Sequence, residues 1–281
     1  MKILLAVDGS KYSRWAAEWL GCLPLTSKAQ TQALHVVDLA ALRAPFMVQP
    51  VVIGNEPFIH DEIKKMETRA KQVVADTASQ LASLRIPAKV RSVEGPAASA
   101  ILKHAGRKGL VVLGSRGLGA LDRFMLGSVS TQVTQHAFGS VLVVKQPPRP
   151  IRKILLATDG SKSSDKALRF LLREIKPQAT GRTVEVLVMH AMPFMKYPEL
   201  KEAGKALVHR AAEKLAKAGY QVTEICQLGQ PADEIITVAE HQRVDLIVSG
   251  AKGLGAVARF LLGSVSTKLV QHSPCSTLVV R

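Results

Sequence analysis

Residues 114–136 read GSRGLGALDRFMLGSVSTQVTQH, and residues 250–272 read GAKGLGAVARFLLGSVSTKLVQH. The two windows are identical at 15 of 23 positions. A second match lies upstream of each: MKILLAVDGSKYS at 1–13 returns as RKILLATDGSKSS at 152–164. Matched segments in the same order mark a duplicated folding unit. A chain of 281 residues has room for two domains of ordinary size. The join is legible too. SVLVVK at 140–145 is strand-like, and QPPRP at 146–150 sets three prolines in five residues, which neither a helix nor a central strand accepts. The expected division is a first domain over 1–145, a short stiff linker over 146–150 and a second domain over 151–281.

Within each unit short apolar runs alternate with helical patterns. The first unit reads as strands at 3–7, 33–37, 88–93, 110–113 and 141–144, with helices at 13–20, 63–84, 97–105 and 128–137. The second repeats this with strands at 154–158, 184–189, 221–226, 246–249 and 277–280, and helices at 201–218, 232–240 and 264–271. Runs that are apolar at every position belong to strands covered on both faces, so the fold class is α/β, with two tandem doubly wound domains and mostly parallel sheets. Ligands in such sheets bind beyond the carboxyl ends of the strands. DGS and the glycine-rich stretch both fall at that end.

The glycine stretch has the spacing G-x2-G-x9-G-S, met at Gly114, Gly117, Gly127 and Ser128 and again at Gly250, Gly253, Gly263 and Ser264. Gly119 and Gly255 add one glycine each. The first glycine follows a strand, where backbone must approach a ligand or turn with positive φ. The last glycine and serine open a helix, whose unpaired N–H groups and positive dipole end favour a phosphate. Ser128 and Ser130, and likewise Ser264 and Ser266, offer hydroxyls. The bland alternative makes the glycines turn residues and Ser128 a plain N-cap. No Gly-Lys-Ser/Thr is present, so this is not a Walker A loop, and phosphate cradling carries no implication of hydrolysis.

Other candidates cluster at the same edge. Asp8 and Asp159 follow the first strands, where a carboxylate can accept from a ribose or a base amine; the competing role is an Asx turn that caps the next helix. Val36 and Val188 end the second strands, with backbone groups placed for an adenine edge. Arg116 and Lys252, with Arg123 and Arg259, are candidates to pair with phosphates or are solvated charges. One asymmetry stands out. Asp8 and Gly114 lie 106 positions apart, Asp159 and Gly250 only 91. Most of the surplus falls in 39–60, with Pro45, Phe46, Met47, Pro50, Pro57, Phe58 and Ile59, and reads as an ordered loop: a lid beside the first site, or a segment packed over its own domain or its sister.

Composition narrows the function. The net charge of +16 divides evenly, with 18 basic and 10 acidic residues in 1–145 and 20 and 12 in 146–281. Such charge favours polyanions, but there is no basic run of five and no reading module, so specific nucleic-acid binding is not expected. No run of eighteen apolar residues indicates a membrane span. The apolar run after Met1 ends at Asp8, too soon for a signal peptide. Three cysteines suggest no disulfide framework. The expected compartment is the cytoplasm. No metal-ligand spacing and no catalytic constellation is found, so neither a metal site nor catalytic residues are assigned. Two rivals remain: a slow ATPase or nucleotidyl-transfer enzyme, and a scaffold whose sites are vestigial.

On these motifs the chain resembles the universal stress protein family, in its tandem two-domain form, over essentially its whole length. The G-x2-G-x9-G-S motif is similar to the signature of that family's ATP-binding branch. The resemblance implies a five-stranded sheet of order 3-2-1-4-5 in each domain. It implies that Asp8 and Val36 hold adenosine, while Gly114, Gly117, Gly127, Ser128 and Ser130 surround the ribose and phosphates. The matching second set is Asp159, Val188, Gly250, Gly253, Gly263, Ser264 and Ser266. ATP is the implied ligand; Mg²⁺ is compatible with its phosphates, though no acidic cluster demands it. The resemblance also implies pairing through the last strands, here Val141–Val144 with Thr277–Val280 inside one chain, with a homodimer of chains still open. Two differences separate the loops: Arg116 against Lys252, and Asp122 against Ala258.

Overall fold

The computed structural model describes residues 1–26, 29–39, 56–107, 109–117, 126–179, 181–192, 198–253 and 262–281. The first half contains β1 (Lys2–Val7), α1 (Lys11–Cys22), β2 (Gln30–Val37), α2 (Glu56–Ser83), β3 (Ala88–Glu94), α3 (Ala97–Ala105), β4 (Gly109–Gly114), α4 (Ser128–His136) and β5 (Ser140–Val144). The second half contains β6 (Lys153–Ala157), α5 (Lys162–Glu174), a small hairpin of β7 (Gln178–Ala179) and β8 (Arg182–Thr183), β9 (Glu185–Met192), α6 (Pro198–Lys217), β10 (Gln221–Leu228), α7 (Pro231–His241), β11 (Leu246–Gly250), α8 (Ser264–His272) and β12 (Ser276–Val280).

Ile3 through Val7 are all buried, because alternate residues of β1 face two helical layers. Ile3, Leu5 and Val7 join Trp19 and Leu20 of α1 and Val73 and Leu81 of α2. Leu4 and Ala6 join Ala98 and Ile101 of α3 and Val133 of α4. The sheet order in the first half is β3-β2-β1-β4-β5, and in the second β10-β9-β6-β11-β12, which is the expected 3-2-1-4-5 in both. Within the main sheet all pairings inside each half are parallel, and only the separate β7–β8 hairpin is antiparallel.

Some boundaries differ from the sequence reading. Helix α1 starts at Lys11 because Ser10 is its N-cap, its Oγ accepting from Ser13 N at 3.2 Å. Ser161 does the same for α5, a helix the reading passed over, accepting from Ser164 N at 3.1 Å. Helix α2 starts at Glu56 rather than Ile63. The expected loop over 39–60 therefore ends in helix, while its stretch 40–55, with Pro45, Phe46, Met47 and Pro50, lies outside the described residues.

The halves meet at β5 and β12, which pair antiparallel with Leu278 opposite Leu142, flanked by Thr277–Val143 and Val279–Val141. One ten-stranded sheet results. The core crosses the seam on one face through Leu142, Val144, Leu278 and Val280, and on the other through Val141, Val143, Val270 and Val279. Around this axis polar contacts are exchanged in pairs. Lys145 N donates to Ser276 Oγ (3.3 Å) and Arg281 N to Ser140 Oγ (3.4 Å). Lys145 Nζ reaches the end of α8, donating to Ser273 O (2.9 Å) and Ser273 Oγ (3.0 Å). Arg281 Nη2 reaches the end of α4, donating to Thr134 O (2.6 Å) and Gln135 O (3.1 Å). The linker is pinned rather than merely stiff. Trp19 Nε1 donates to Gln146 O (3.0 Å), Arg149 pairs with the buried Asp245, and Asp245 Oδ2 accepts from Arg152 N (2.8 Å) and Lys153 N (2.9 Å).

Two outcomes follow from the seam. Residues 1–145 expressed alone expose the edge of β5 and half of a shared core, so they dimerise, aggregate or lose stability; a stable monomer in a solution mass measurement contradicts this. Burial, with the nearby Arg116 charge acting in the same direction, pulls the Lys145 amine down to about 8 from its ordinary 10.5. Between those values the unfolded chain holds a proton that the folded chain has released. Stability relative to Lys145→Met therefore rises with pH across that window. Denaturant midpoints of both proteins near each end of the window check it, and a wild-type stability that falls relative to Lys145→Met as pH rises contradicts it.

Candidate functional site

A cleft of about 380 Å³ opens at the carboxyl edge of the first half's sheet, where β1 and β4 part company. Asp8, Val36, Gly114, Arg116, Gly117, Gly127, Ser128 and Ser130 all line it, with Ala6, Leu34, Ile101, Leu113 and Val129 forming the apolar walls. This volume falls within the ordinary range for small-molecule sites, about 300–1,000 Å³.

The DGS turn fixes the carboxylate. Gly9 has φ +79°, which a glycine adopts without strain. Asp8 Oδ1 accepts from Ser10 N at 2.9 Å, closing an Asx turn. The cap of α1 belongs to Ser10, not to Asp8. A Cβ on Gly117 would stand 2.6 Å from Asp8 Oδ2, so glycine lets the loop lie against the carboxylate. The second half repeats each contact: Gly160 has φ +76°, Asp159 Oδ1 accepts from Ser161 N at 3.0 Å, and a Cβ on Gly253 would stand 2.8 Å from Asp159 Oδ2.

The first glycine of each motif does different work from that expected. Neither Gly114 nor Gly250 has positive φ. A Cβ on Gly114 would fall 2.6 Å from Tyr12 Cβ and 2.8 Å from Tyr12 C, and one on Gly250 2.5 Å from Ser163 C. These glycines admit the backbone of the first helix against the end of the strand. The loop is then tied at its base. Ser115 N donates to Val144 O (2.7 Å) and Gly127 N to Ser115 O (2.8 Å), matched by Ala251 N to Val280 O and Gly263 N to Ala251 O, both 2.9 Å.

The bland alternative, Ser128 as a plain N-cap, does not hold. Gly127 is the N-cap of α4 and Ser128 the first helical residue; Gly263 and Ser264 stand likewise for α8. As glycines, neither N-cap offers a side-chain acceptor to its first turn. The first turn of α4 lines the cleft with its positive dipole end. Ser130 is buried at 4% exposure, and its hydroxyl donates to Gly114 O (2.8 Å); Ser266 donates to Gly250 O (2.7 Å). These hydroxyls tie the helix to the strand end, leaving only lone pairs toward the cleft.

Val188 does not stand where Val36 stands. In register Ala6 faces Leu34 and Ala157 faces Met189, so the counterpart of Val36 is Ala191, and Val188 matches Ala33. Val188 is 0% exposed, in the core layer away from the cleft face. Strand β9 is apolar along nearly its whole length, which hid where it ends. His35 and His190 carried the missing signal: each ring Nδ1 sits against an equivalent carbonyl, Val7 O (2.9 Å) and Thr158 O (2.8 Å).

The two loops differ in how they hold their cation. Arg116 Nη1 donates to Tyr12 OH at 2.7 Å, with its guanidinium 5.4 Å from the Tyr12 ring centre. Lys252 has Ser163 in place of that tyrosine, and Ser163 Oγ accepts from Lys252 N at 3.2 Å. Gly119, Asp122, Arg123, Gly255, Ala258 and Arg259 lie outside the described residues.

Comparison with known proteins agrees with this arrangement. The universal stress protein family model matches residues 1–145 and again 150–281. The chain belongs to the universal stress protein family, as a tandem of two such units. A universal stress protein of Mycolicibacterium smegmatis is 29% identical over 99% of this chain and 96% of its own length. Universal stress protein YxiE of Bacillus subtilis is 34% identical over 46% of this chain and 98% of its own, so it matches one unit. The crystal structure of a universal stress protein from Archaeoglobus fulgidus DSM 4304 covers 100% of this chain and 98% of its own, with TM-score 0.69 and 22% identity. That likeness concerns the fold.

The glycine geometry separates two kinds of substitution. Gly114→Ala forces helix backbone away and costs about 1–3 kcal/mol of stability. Gly117→Ala meets only the tip of a carboxylate and costs much less. Equal losses in a denaturation series contradict the assignment of Gly114 to helix–strand contact.

Proposed function

We propose that the chain binds ATP at the carboxyl edge of its sheet, with one site in each half, and holds it as a signal or stabilising ligand that turns over slowly or not at all. The observation that carries this is the convergence, in one cleft, of a fixed carboxylate, Asp8, an N-terminal helix turn without a side-chain cap, and the Arg116 guanidinium. A carboxylate on one side and anion-seeking groups on the other suit a ligand with hydroxyls or amines at one end and phosphates at the other.

In this reading Asp8 accepts hydrogen bonds from the ribose, and the backbone at Val36 meets the adenine edge. The apolar walls from Leu34 and Ile101 take the base. Gly117, Gly127 and the first turn of α4 from Ser128 receive the phosphates, with Arg116 adding a fixed charge. The second site uses Asp159, Gly250, Lys252, Gly253, Gly263, Ser264 and Ser266, with Ala191 in place of Val188. Among the described residues lining the first cleft Asp8 is the one carboxylate, and one of its oxygens is held by Ser10 N. In this reading that carboxylate is taken up by the ligand's hydroxyls, which leaves no second carboxylate among those lining residues to activate water and supports slow turnover. Among the described residues no group of three or more His, Cys, Asp or Glu gathers to hold a metal, so Mg²⁺ in this reading travels with the phosphates.

Mass spectrometry of material released on denaturing the purified chain should find ATP or ADP, or the empty chain should take up added ATP. Release of nothing and no uptake overturn the proposal. Asp8→Ala is expected to weaken ATP about ten- to a hundredfold at the first site, the loss of a hydrogen bond to a charged group being about 1.5–3 kcal/mol. Steady-state hydrolysis at roughly 1 s⁻¹ or faster would instead make the chain an ordinary enzyme.

A further inference from the structure

The two phosphate-facing helices, α4 and α8, are each held at the far end by a cation from the other half. Arg281, which follows β12, donates to Thr134 O and Gln135 O in the last turn of α4. Lys145, which follows β5, donates to Ser273 O and Ser273 Oγ just past α8, and at 3.4 Å to Leu269 O in its last turn. The two residues are equivalents in the duplicated sequence, and their backbones mirror each other on Ser276 and Ser140. Both are half-buried, so their charges are less screened than those of free surface side chains. A nine-residue helix is about 13 Å long, so each cation acts on the far end by holding the helix in place and not by direct attraction to an anion there.

We propose that Arg281 and Lys145 are positioning residues for the opposite half's nucleotide site: Arg281 serves the first cleft through α4, and Lys145 serves the second site through α8. A cation on the C-terminal carbonyls fixes the axial position of the helix and complements its dipole, so that the first-turn N–H groups meet the phosphates at the correct depth. Each site is then incomplete without the other half of the chain. This gives the basic residue after the last strand of each unit a role in the opposite half. The inference rests on the proposed nucleotide binding and adds that the two sites are wired crosswise.

The test uses the full chain with one site blocked at a time, by Gly253→Val to read the first site and by Gly117→Val to read the second. Calorimetric titrations are run with ATP and with adenosine. With the first site readable, Arg281→Met should weaken ATP about three- to tenfold, in line with the size of helix-terminus charge effects. Adenosine should change less than twofold, and Arg281→Lys should restore most of the loss. Lys145→Met should produce the same pattern at the second site. A purely structural role predicts something else: equal losses for ATP and adenosine, or losses at both sites from either variant, and these outcomes overturn the proposal. If the unblocked wild-type chain takes up neither ligand, the nucleotide reading itself fails; if it does and the variants show no crosswise pattern, only the wiring fails. Arg281→Lys also covers the case in which Arg281→Met does not fold, since a lysine that folds and binds ATP as the wild type does, while Arg281→Gln at the same position loses nothing, contradicts a role for the charge.

Discussion

Everything in this molecule depends on the antiparallel contact between β5 and β12. Each is the last strand of its half and buried throughout, so each would be a bare edge if the halves came apart. Three register pairs centred on Leu142 and Leu278 close both edges and make one sheet of ten strands. The strands left outermost, β3 and β10, are half-exposed and carry charged or polar residues such as Lys89, Arg91 and Glu224, as edge strands must to avoid further pairing. The seam is also what brings Lys145 and Arg281 to the opposite helices, and what allows the linker to fold down onto Asp245.

The same contact sets the geometry of function. A parallel sheet puts its strand ends at one edge, and the glycine motif lies between the end of β4 and the start of α4. Glycine is required there for two separate steric reasons: Gly114 yields to helix backbone and Gly117 to the Asp8 carboxylate. The neighbouring DGS turn requires a third, the positive φ of Gly9. A sequence pattern with three demands of this kind is hard to meet by accident, and the chain meets it twice.

Much of this was legible in the sequence because the duplication supplies its own internal comparison. Repeated apolar runs mark the strands, the family resemblance supplies their order 3-2-1-4-5, and the prolines at 147, 148 and 150 mark the join. What escaped was set by tertiary contact. Asp245 looks like an ordinary acidic residue before a strand, yet it gathers the linker's amides and Arg149. Val188 was taken as the partner of Val36 because β9 is apolar at nearly every position and so has no internal mark of its end; aligning His35 with His190 gives Ala191. Ser130 reads as a hydroxyl available to a ligand, but the strand end claims its proton. Lys145 and Arg281 read as terminal charges of their own strands, and only the seam reveals that they act on the other half.

The most direct measurement is amide hydrogen exchange on the intact chain with and without ATP. The account predicts that Val141–Val143 and Thr277–Val279 are among the slowest amides in both states, because exchange there requires the halves to part. It predicts that ATP adds protection at the Asp8–Ser10 turn and at Gly117 and Ser128–Ser130. Fast exchange in the seam strands, or ATP-induced protection confined to segments away from that edge, would contradict it.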